Sequence, residues 1–245
     1  EHTSGVDTIT IPCLEIKDPP MFTYRGMHLD VSRHYFPKEF IKQYIAELAA
    51  LKMNTFHWHL TDDQGWRIEI KQYPDLTSKG AYREETLIGH YNDTPQRFDG
   101  KPYGGFYTQQ EVKEIVAFAK EHHVTIIPEI ELPGHAQAAI HAYPDLGCTK
   151  EQVPVATKWG VFENIYCPKP ETFTFLKNVL DEVMELFPGA YIHIGGDEAP
   201  KTNWKACPNC QKLITEKNLI NEHGLQSYFI TEIKKHINSK GKKII

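Results

Sequence analysis

The sequence predicts an α/β fold in which parallel strands alternate with helices. Short β-branched or aromatic apolar runs recur between longer segments that carry apolar residues at the 3.6-residue period. That alternation is the pattern of repeated βα units, with helices covering a parallel sheet. No G-x-G-x-x-G follows the first apolar run, so the open dinucleotide-binding version of such a sheet loses its main support. A barrel is the remaining expectation.

The elements justify this in order. Residues 27–31 are a short apolar run, a first strand. Residues 40–52 place Phe40, Ile41, Tyr44, Ile45, Leu48 and Leu51 at helical spacing. Residues 55–60 alternate and are rich in aromatic residues, as a strand is. Residues 110–122 carry Val112, Ile115, Val116 and Ala119, a second helix, and the β-branched run 124–130 reads as a buried strand. Residues 173–187 repeat Phe173, Leu176, Val179, Leu180, Val183 and Leu186 until Pro188-Gly189 stops the helix. Residues 191–194 are the next strand, 225–237 a fourth helix with Phe229, Ile233 and Ile237, and 243–245 open another apolar run.

The count is four βα units and the start of a fifth strand. A complete (β/α)8 barrel is typically ~250 residues, so the length of 245 residues invites a complete one, and the count argues against it. The expected fold is therefore α/β, a (β/α)8 TIM barrel of which residues 21–245 form the N-terminal half. The connections 61–107 and 132–171 are long, which is uncommon for structureless loops unless they are functional. In a barrel they lie on the C-terminal face, where active sites are built. Residues 8–11 read as a strand remnant followed by Pro12, Pro19 and Pro20, so residues 1–20 are expected to be the tail of a preceding domain and a linker.

Composition excludes several partners. Hydrophobic residues are 40% and charged residues 24%, ordinary globular usage, and the net charge of -5 offers no basic surplus for a phosphate backbone. Nucleic acid is not an expected partner. No apolar run approaches the ~18 residues of a membrane span, and residues 1–10 lack a basic-then-apolar signal architecture. Five cysteines include one C-x-x-C, Cys207 to Cys210, with no second pair. A zinc ribbon needs two pairs, or one pair and two His, so a local thiol pair or strained disulfide is the expectation and a structural metal the lesser alternative.

The chemistry gathers at the strand ends. Asp30, Arg33 and His34 follow the first strand; His59, Asp62 and Asp63 the second; Glu129, Glu131 and His135 the third; and Gly195-Gly196-Asp197-Glu198 the fourth. Each alone reads equally well as a helix cap or a surface residue. Together they converge on one rim of a barrel, where charges are costly unless paired or used. His135, Asp62 and Asp197 lack the close spacing of a metal motif such as H-E-x-x-H, so no metal is expected in this site. Carboxylate chemistry fits better, because of the adjacent Asp197 and Glu198 one can stay ionised while burial and its neighbour turn the other into a general acid. Trp58, Trp66, Trp159 and Trp204 suit sugar faces and serve equally well as core fillers.

The motifs Tyr24-Arg-Gly-Met-His-Leu-Asp-Val-Ser-Arg33-His-Tyr-Phe, Phe56-His-Trp-His-Leu-Thr-Asp62-Asp63-Gln-Gly-Trp66-Arg, Pro128-Glu-Ile-Glu131-Leu-Pro-Gly-His135 and His193-Ile-Gly-Gly-Asp197-Glu198 resemble family-20 glycoside hydrolases, the β-N-acetylhexosaminidases. The likeness covers nearly all of the chain from about residue 20, and the tract from Pro200 to Gln211 looks most like bacterial members of the Bacteroides type. The resemblance implies an exo-acting enzyme that removes terminal β-linked GlcNAc or GalNAc with retention, by substrate assistance. It implies Glu198 as acid and base, and Asp197 as the group that holds the acetamido N–H. It implies Arg33 and Asp62 as sugar-hydroxyl contacts, His135 as a pocket residue, and Glu131, Asp63 and His193 in support. Glu131 stands where many members have Asp, which displaces its carboxylate by about a bond length. No cofactor is implied. The implied partner is an N-acetylhexosamine glycan in the periplasm or outside the cell, with the remaining barrel half or a second copy covering the open sheet edges. The competing readings are another substrate-assisted barrel glycosidase, chitinase-like, and a non-catalytic sugar-binding module, against which the presence of both Asp197 and Glu198 argues.

Overall fold

The computed structural model describes residues 12–245, and the apolar stretch 8–11 lies outside the described residues. In chain order the main elements are β1 (Gly26–Asp30), α1 (Lys38–Ala50), β2 (Thr55–His59), α2 (Gln109–Glu121), β3 (Thr125–Glu129), α3 (Gln137–Ala142), α4 (Pro170–Leu186), β4 (Tyr191–Ile192), α5 (Thr202–Ala206), α6 (Pro208–Glu216), α7 (Glu222–Ser239) and β5 (Lys243–Ile244). β1 pairs in parallel with β2, Gly26 opposite Thr55, and β2 with β3, Thr55 opposite Thr125. The ladder continues from β3 to β4 through a parallel bridge between Glu129 and His193 and the Ile130 N–H bond to the His193 carbonyl, 3.1 Å. β4 pairs in parallel with β5. The strands thus stand in chain order, as in a growing barrel wall, and among the described residues β1 and β5 have one strand neighbour each, so the sheet does not close.

The long helices start earlier than their apolar periods. α1 opens on Lys38-Glu39, α4 on Pro170-Glu171 and α7 on Glu222, because a first turn favours proline and acidic residues over apolar ones. Thr108 and Glu111 form a capping box on α2, and the Asn221 side chain accepts the His223 and Gly224 N–H groups at 2.9 and 3.1 Å on α7. The short helices α3, α5 and α6 were not legible as helices. In α3, Gln137, Ala138, Ala139, Ile140 and Ala142 are all buried, so no polar face alternates with an apolar one.

Neighbouring helices pack in sequence order, α1 on α2, α2 on α4 and α4 on α7. They bury Ile41, Ile45 and Leu48, then Val112 and Ile115, then Leu176, Val179 and Val183, then Phe229, Ile233 and Ile237. Each such side chain contributes about 1.5–3 kcal/mol on removal from water. Phe56 and Trp58 of β2 join this core. The alternate positions carry histidine and carboxylate: His28, His57 and His59 lie on the other face with Glu129. His28 and His57 rings meet at 4.7 Å and His57 and His193 at 4.5 Å. One sheet face is thus committed to the helices and the other to polar chemistry.

Leu14, Ile16, Met21, Phe22 and Tyr24, before β1, are exposed. No helix among the described residues is long and apolar enough to cross a membrane. The C-x-x-C does not form the isolated local pair expected from spacing: Cys148 and Cys167 join Cys207 and Cys210, and all four are free thiols.

Candidate active site

Each strand end delivers its groups through a short turn. After β1, the Asp30 carboxylate accepts the Ser32 and Arg33 N–H groups at 2.9 and 3.0 Å, closing an Asx-type turn that lifts Arg33 to the rim. Arg33 Nη1 then bonds Asp62 at 2.7 Å and Asp30 at 3.0 Å. After β2, the Asp62 carboxylate has no exposed surface and accepts from Arg33, from His59 Nε2 at 2.7 Å and from His135 Nδ1 at 3.1 Å. Burial disfavours its charge, but the His135 and His59 hydrogen bonds and the Arg33 charge hold it ionised, at a pKa of about 2. Asp63 beside it accepts the Gln137 N–H at 2.9 Å and so fixes the start of α3.

After β3, Glu129 receives three rings: His57 Nε2 at 2.7 Å, His59 Nδ1 at 2.6 Å and His193 Nδ1 at 2.7 Å. Burial opposes its charge, but these partners hold its carboxyl well below the usual carboxylate range. His59 is buried too, and its bonds to Asp62 and Glu129 overcome that burial and carry it up to about 10. Glu131 is the opposite case. Its Oε2 is buried without a partner, and burial, aided by the Glu129 charge, pushes it up to about 8. Burial therefore favours its neutral form. His135, with a left-handed backbone (φ 51), presents Nδ1 to Asp62 and Asp63. Burial works against its charge, yet these two carboxylates raise it to about 11, so the ring is an imidazolium.

After β4 the chain turns sharply. Gly195 and Gly196 have φ of 62 and 105, and Glu198 itself has φ 40. A Cβ at Gly195 would push the Glu131 carboxyl aside, and the positive φ adds to the preference for glycine where the loop passes over that side chain. The non-glycine left-handed residues His135 and Glu198 hold backbone strain where two site loops meet. The Glu198 side chain is 50% exposed, and its Oε2 lies 3.6 Å from His135 Nε2.

These groups converge on one cleft of about 340 Å³, walled by Arg33, Glu131, His135, Asp197 and Glu198 above His57, His59 and His193. Asp62 is the exception. Expected to touch sugar, it is sealed beneath Arg33 and His135, so its carboxylate positions those two side chains instead. Of the tryptophans, Trp58, Trp66 and Trp204 are core. Trp159 is half-exposed, 4.8 Å from the Tyr91 ring, beside a second depression of about 480 Å³ that also reaches Arg33. Sequence reasoning placed His59 and Glu129 among the strand-end groups without giving them a role, and left His28 and His57 out of the site. Their signal was the alternation in Thr55-Phe-His-Trp-His59, where every second residue is polar inside an apolar strand.

The shifted Glu131 gives a testable pH dependence. Its native pKa of about 8 exceeds the ordinary 4.5, so between these values the folded state binds the proton more tightly and this group's contribution falls as pH rises. Glu131→Gln never ionises. Denaturation from pH 5 to 8 is therefore expected to show the variant losing less stability with rising pH than the parent; parallel profiles would show that Glu131 is already charged at low pH.

Residues 22–245 match the sequence profile of glycosyl hydrolase family 20, catalytic domain. A β-hexosaminidase of Porphyromonas gingivalis is 50% identical over 238 residues, covering 97% of this chain and 29% of that protein. Among solved structures, a β-N-acetylhexosaminidase superposes with a TM-score of 0.86 at 35% identity, over 93% of this chain and 47% of that one. The Vibrio harveyi exo-β-N-acetylglucosaminidase of the same family, solved with N-acetylglucosamine, gives 0.80 at 40% identity, over 93% and 35%. The chain thus spans under half the length of the relatives it matches.

Proposed function

The chain belongs to glycosyl hydrolase family 20, and from that premise we propose that it carries the catalytic carboxylates of an exo-acting β-N-acetylhexosaminidase. The observation that supports this best is the placement of Asp197 and Glu198 together at the mouth of the Arg33 cleft, with Glu198 backed by the His135 imidazolium. In this reading Glu198 protonates the glycosidic oxygen as the bond to the leaving group breaks. The substrate's own 2-acetamido carbonyl oxygen attacks the anomeric carbon, giving an oxazolinium ion. Asp197 accepts the acetamido N–H and balances the positive charge. Glu198 then takes a proton from water as the water opens the ring, so two inversions leave net retention. His135, 3.6 Å away, stabilises the carboxylate that proton donation leaves behind. Arg33 commits Nη1 to Asp30 and Asp62, its Nε is buried, and Nη2 is left for sugar hydroxyls.

The same reading takes residues 21–245 as the first half of a (β/α)8 barrel, with residues before 21 as the end of another domain. The in-order parallel strands and their open edges support it. Further strands, or a second copy, would cover those edges. A periplasmic or secreted location accords with a glycan substrate.

The test uses the full-length parent on four aryl glycosides. The N-acetyl-β-glucosaminide and N-acetyl-β-galactosaminide are expected to turn over. The N-trifluoroacetyl analogue should be slower, because fluorine weakens the carbonyl nucleophile, and the plain β-glucoside should be inert. Equal hydrolysis of the glucoside would overturn substrate assistance, and inertness toward all four would favour a binding module.

A further inference from the structure

We propose that Cys148, Cys167, Cys207 and Cys210 form a structural zinc site that ties together the two loops bearing His135 and Glu198. One sulfur from each lies within 4.8 Å of all the others. Cys210 Sγ stands 3.7 Å from Cys148 Sγ and 3.8 Å from Cys167 Sγ. Tetrahedral zinc with Zn–S bonds of about 2.3 Å sets its sulfurs about 3.8 Å apart, the edge of that tetrahedron. A disulfide needs about 2.05 Å and an exclusive partner, whereas Cys210 is nearly equidistant from two. A cubane iron–sulfur cluster spreads its four thiolates well beyond this spacing. Six separations within 4.8 Å, two of them at the tetrahedral edge, suit zinc, or a single iron in the same cage.

The local structure is built for thiolates. Cys207 caps α6 ahead of Pro208, and Cys210 lies in its first turn, where free N–H groups and the helix dipole favour negative sulfur. Cys167, Cys207 and Cys210 are buried and Cys148 is partly so, while Cys13 is exposed. Four thiolates around a divalent cation leave two net negative charges; Lys169 lines the adjoining crevice, where Lys150 and Lys212 are paired with Asp145 and Glu216.

The consequence is mechanical. Cys148 and Cys167 belong to the chain between β3 and α4, which carries His135; Cys207 and Cys210 follow Asp197 and Glu198 beyond β4. The two segments already touch through Trp204 Nε1, which donates to the Tyr166 carbonyl at 2.9 Å, and Asn203, which donates to the Glu163 carbonyl at 2.8 Å. Zinc adds a bond network across the same seam, independent of the hydrolase reading.

The full-length protein, purified without chelator, is expected to hold about one zinc per chain by elemental mass spectrometry. X-ray absorption at the zinc edge should show four sulfurs at about 2.3 Å. Cys210→Ser should lose most of the metal. A strong chelator used with a thiol-reactive mercurial should release zinc from the wild type and lower its Tm. If the variant does not fold, the wild-type metal content and absorption spectrum decide alone. Disulfide-linked peptides joining these cysteines in non-reduced protein would overturn the proposal. So would four free thiols with no zinc after growth in zinc-replete medium, or stoichiometric iron instead.

Discussion

Replacing Glu198 with Gln is expected to cut turnover of an unactivated N-acetylglucosaminide by about 10²–10⁴-fold, the usual contribution of general acid–base catalysis. The amide keeps the size and reach of the side chain but has no acidic proton. The position tolerates the change, because the side chain is half-exposed and its ion-pair contact is His135 at 3.6 Å. Affinity for a competitive inhibitor should therefore stay within a few-fold. The loss should also depend on the leaving group. A dinitrophenyl glycoside needs little protonation to depart, so the variant should approach the parent in the first chemical step on that substrate. Added azide should then intercept the oxazolinium ion without needing a base. Wild-type-like turnover of the unactivated substrate by Glu198→Gln would remove this residue from the acid role.

Replacing Arg67 with Met is expected to be the most damaging change to stability outside the cleft. Arg67 is fully buried, and among the described residues it has no carboxylate partner. Its guanidinium donates instead to the carbonyls of Val31 at 3.0 Å, Ser32 at 2.6 Å, Ala81 at 2.5 Å and Gly105 at 3.0 Å. Burial lowers its pKa to about 10, which leaves it charged at pH 7. One side chain thus ties the end of β1, next to Arg33, to the long connection after β2. Methionine fills similar volume but leaves the Val31, Ser32 and Gly105 carbonyls without donors, each costing about 1–3 kcal/mol, while the Ala81 carbonyl keeps the Gly105 N–H. The expected loss is about 3 kcal/mol or more, measured by urea denaturation of the full-length protein. Because Ser32 adjoins Arg33, KM should rise as well. Lysine would not rescue, since one ammonium cannot present a planar fork to four acceptors. A midpoint within error of the parent would show that water satisfies these carbonyls.

Much of the fold could be read directly. The strands β1 to β5 and the four long helices stand where apolar period and punctuation put them, because the helices bury one face and expose the other and the strands are short apolar runs bounded by turns. Their ends shifted because first turns are polar. The short helices α3, α5 and α6 had no such contrast to display. Cysteine spacing also misled: the partners of Cys207 and Cys210 lie at Cys148 and Cys167, far along the chain, where no local motif announces them.

By itself the sequence determined the order of βα units, the gathering of ionisable residues at strand ends and the family to which those motifs belong. These are local properties, fixed by side-chain period and by residues within a few positions of one another. Tertiary structure alone decided how the charges are shared. Asp62 and Asp63 are neighbours, yet Asp62 became the buried anchor of Arg33 and His135 while Asp63 fixes the start of α3. Glu129 and Glu131 stand two residues apart in the same run, yet one is held ionised by three histidines and the other is pushed toward its neutral form against Gly195. The reason is that a carboxylate's ionisation depends on burial and on charges within a few ångströms. In a parallel sheet those neighbours come from adjacent strands dozens of residues away.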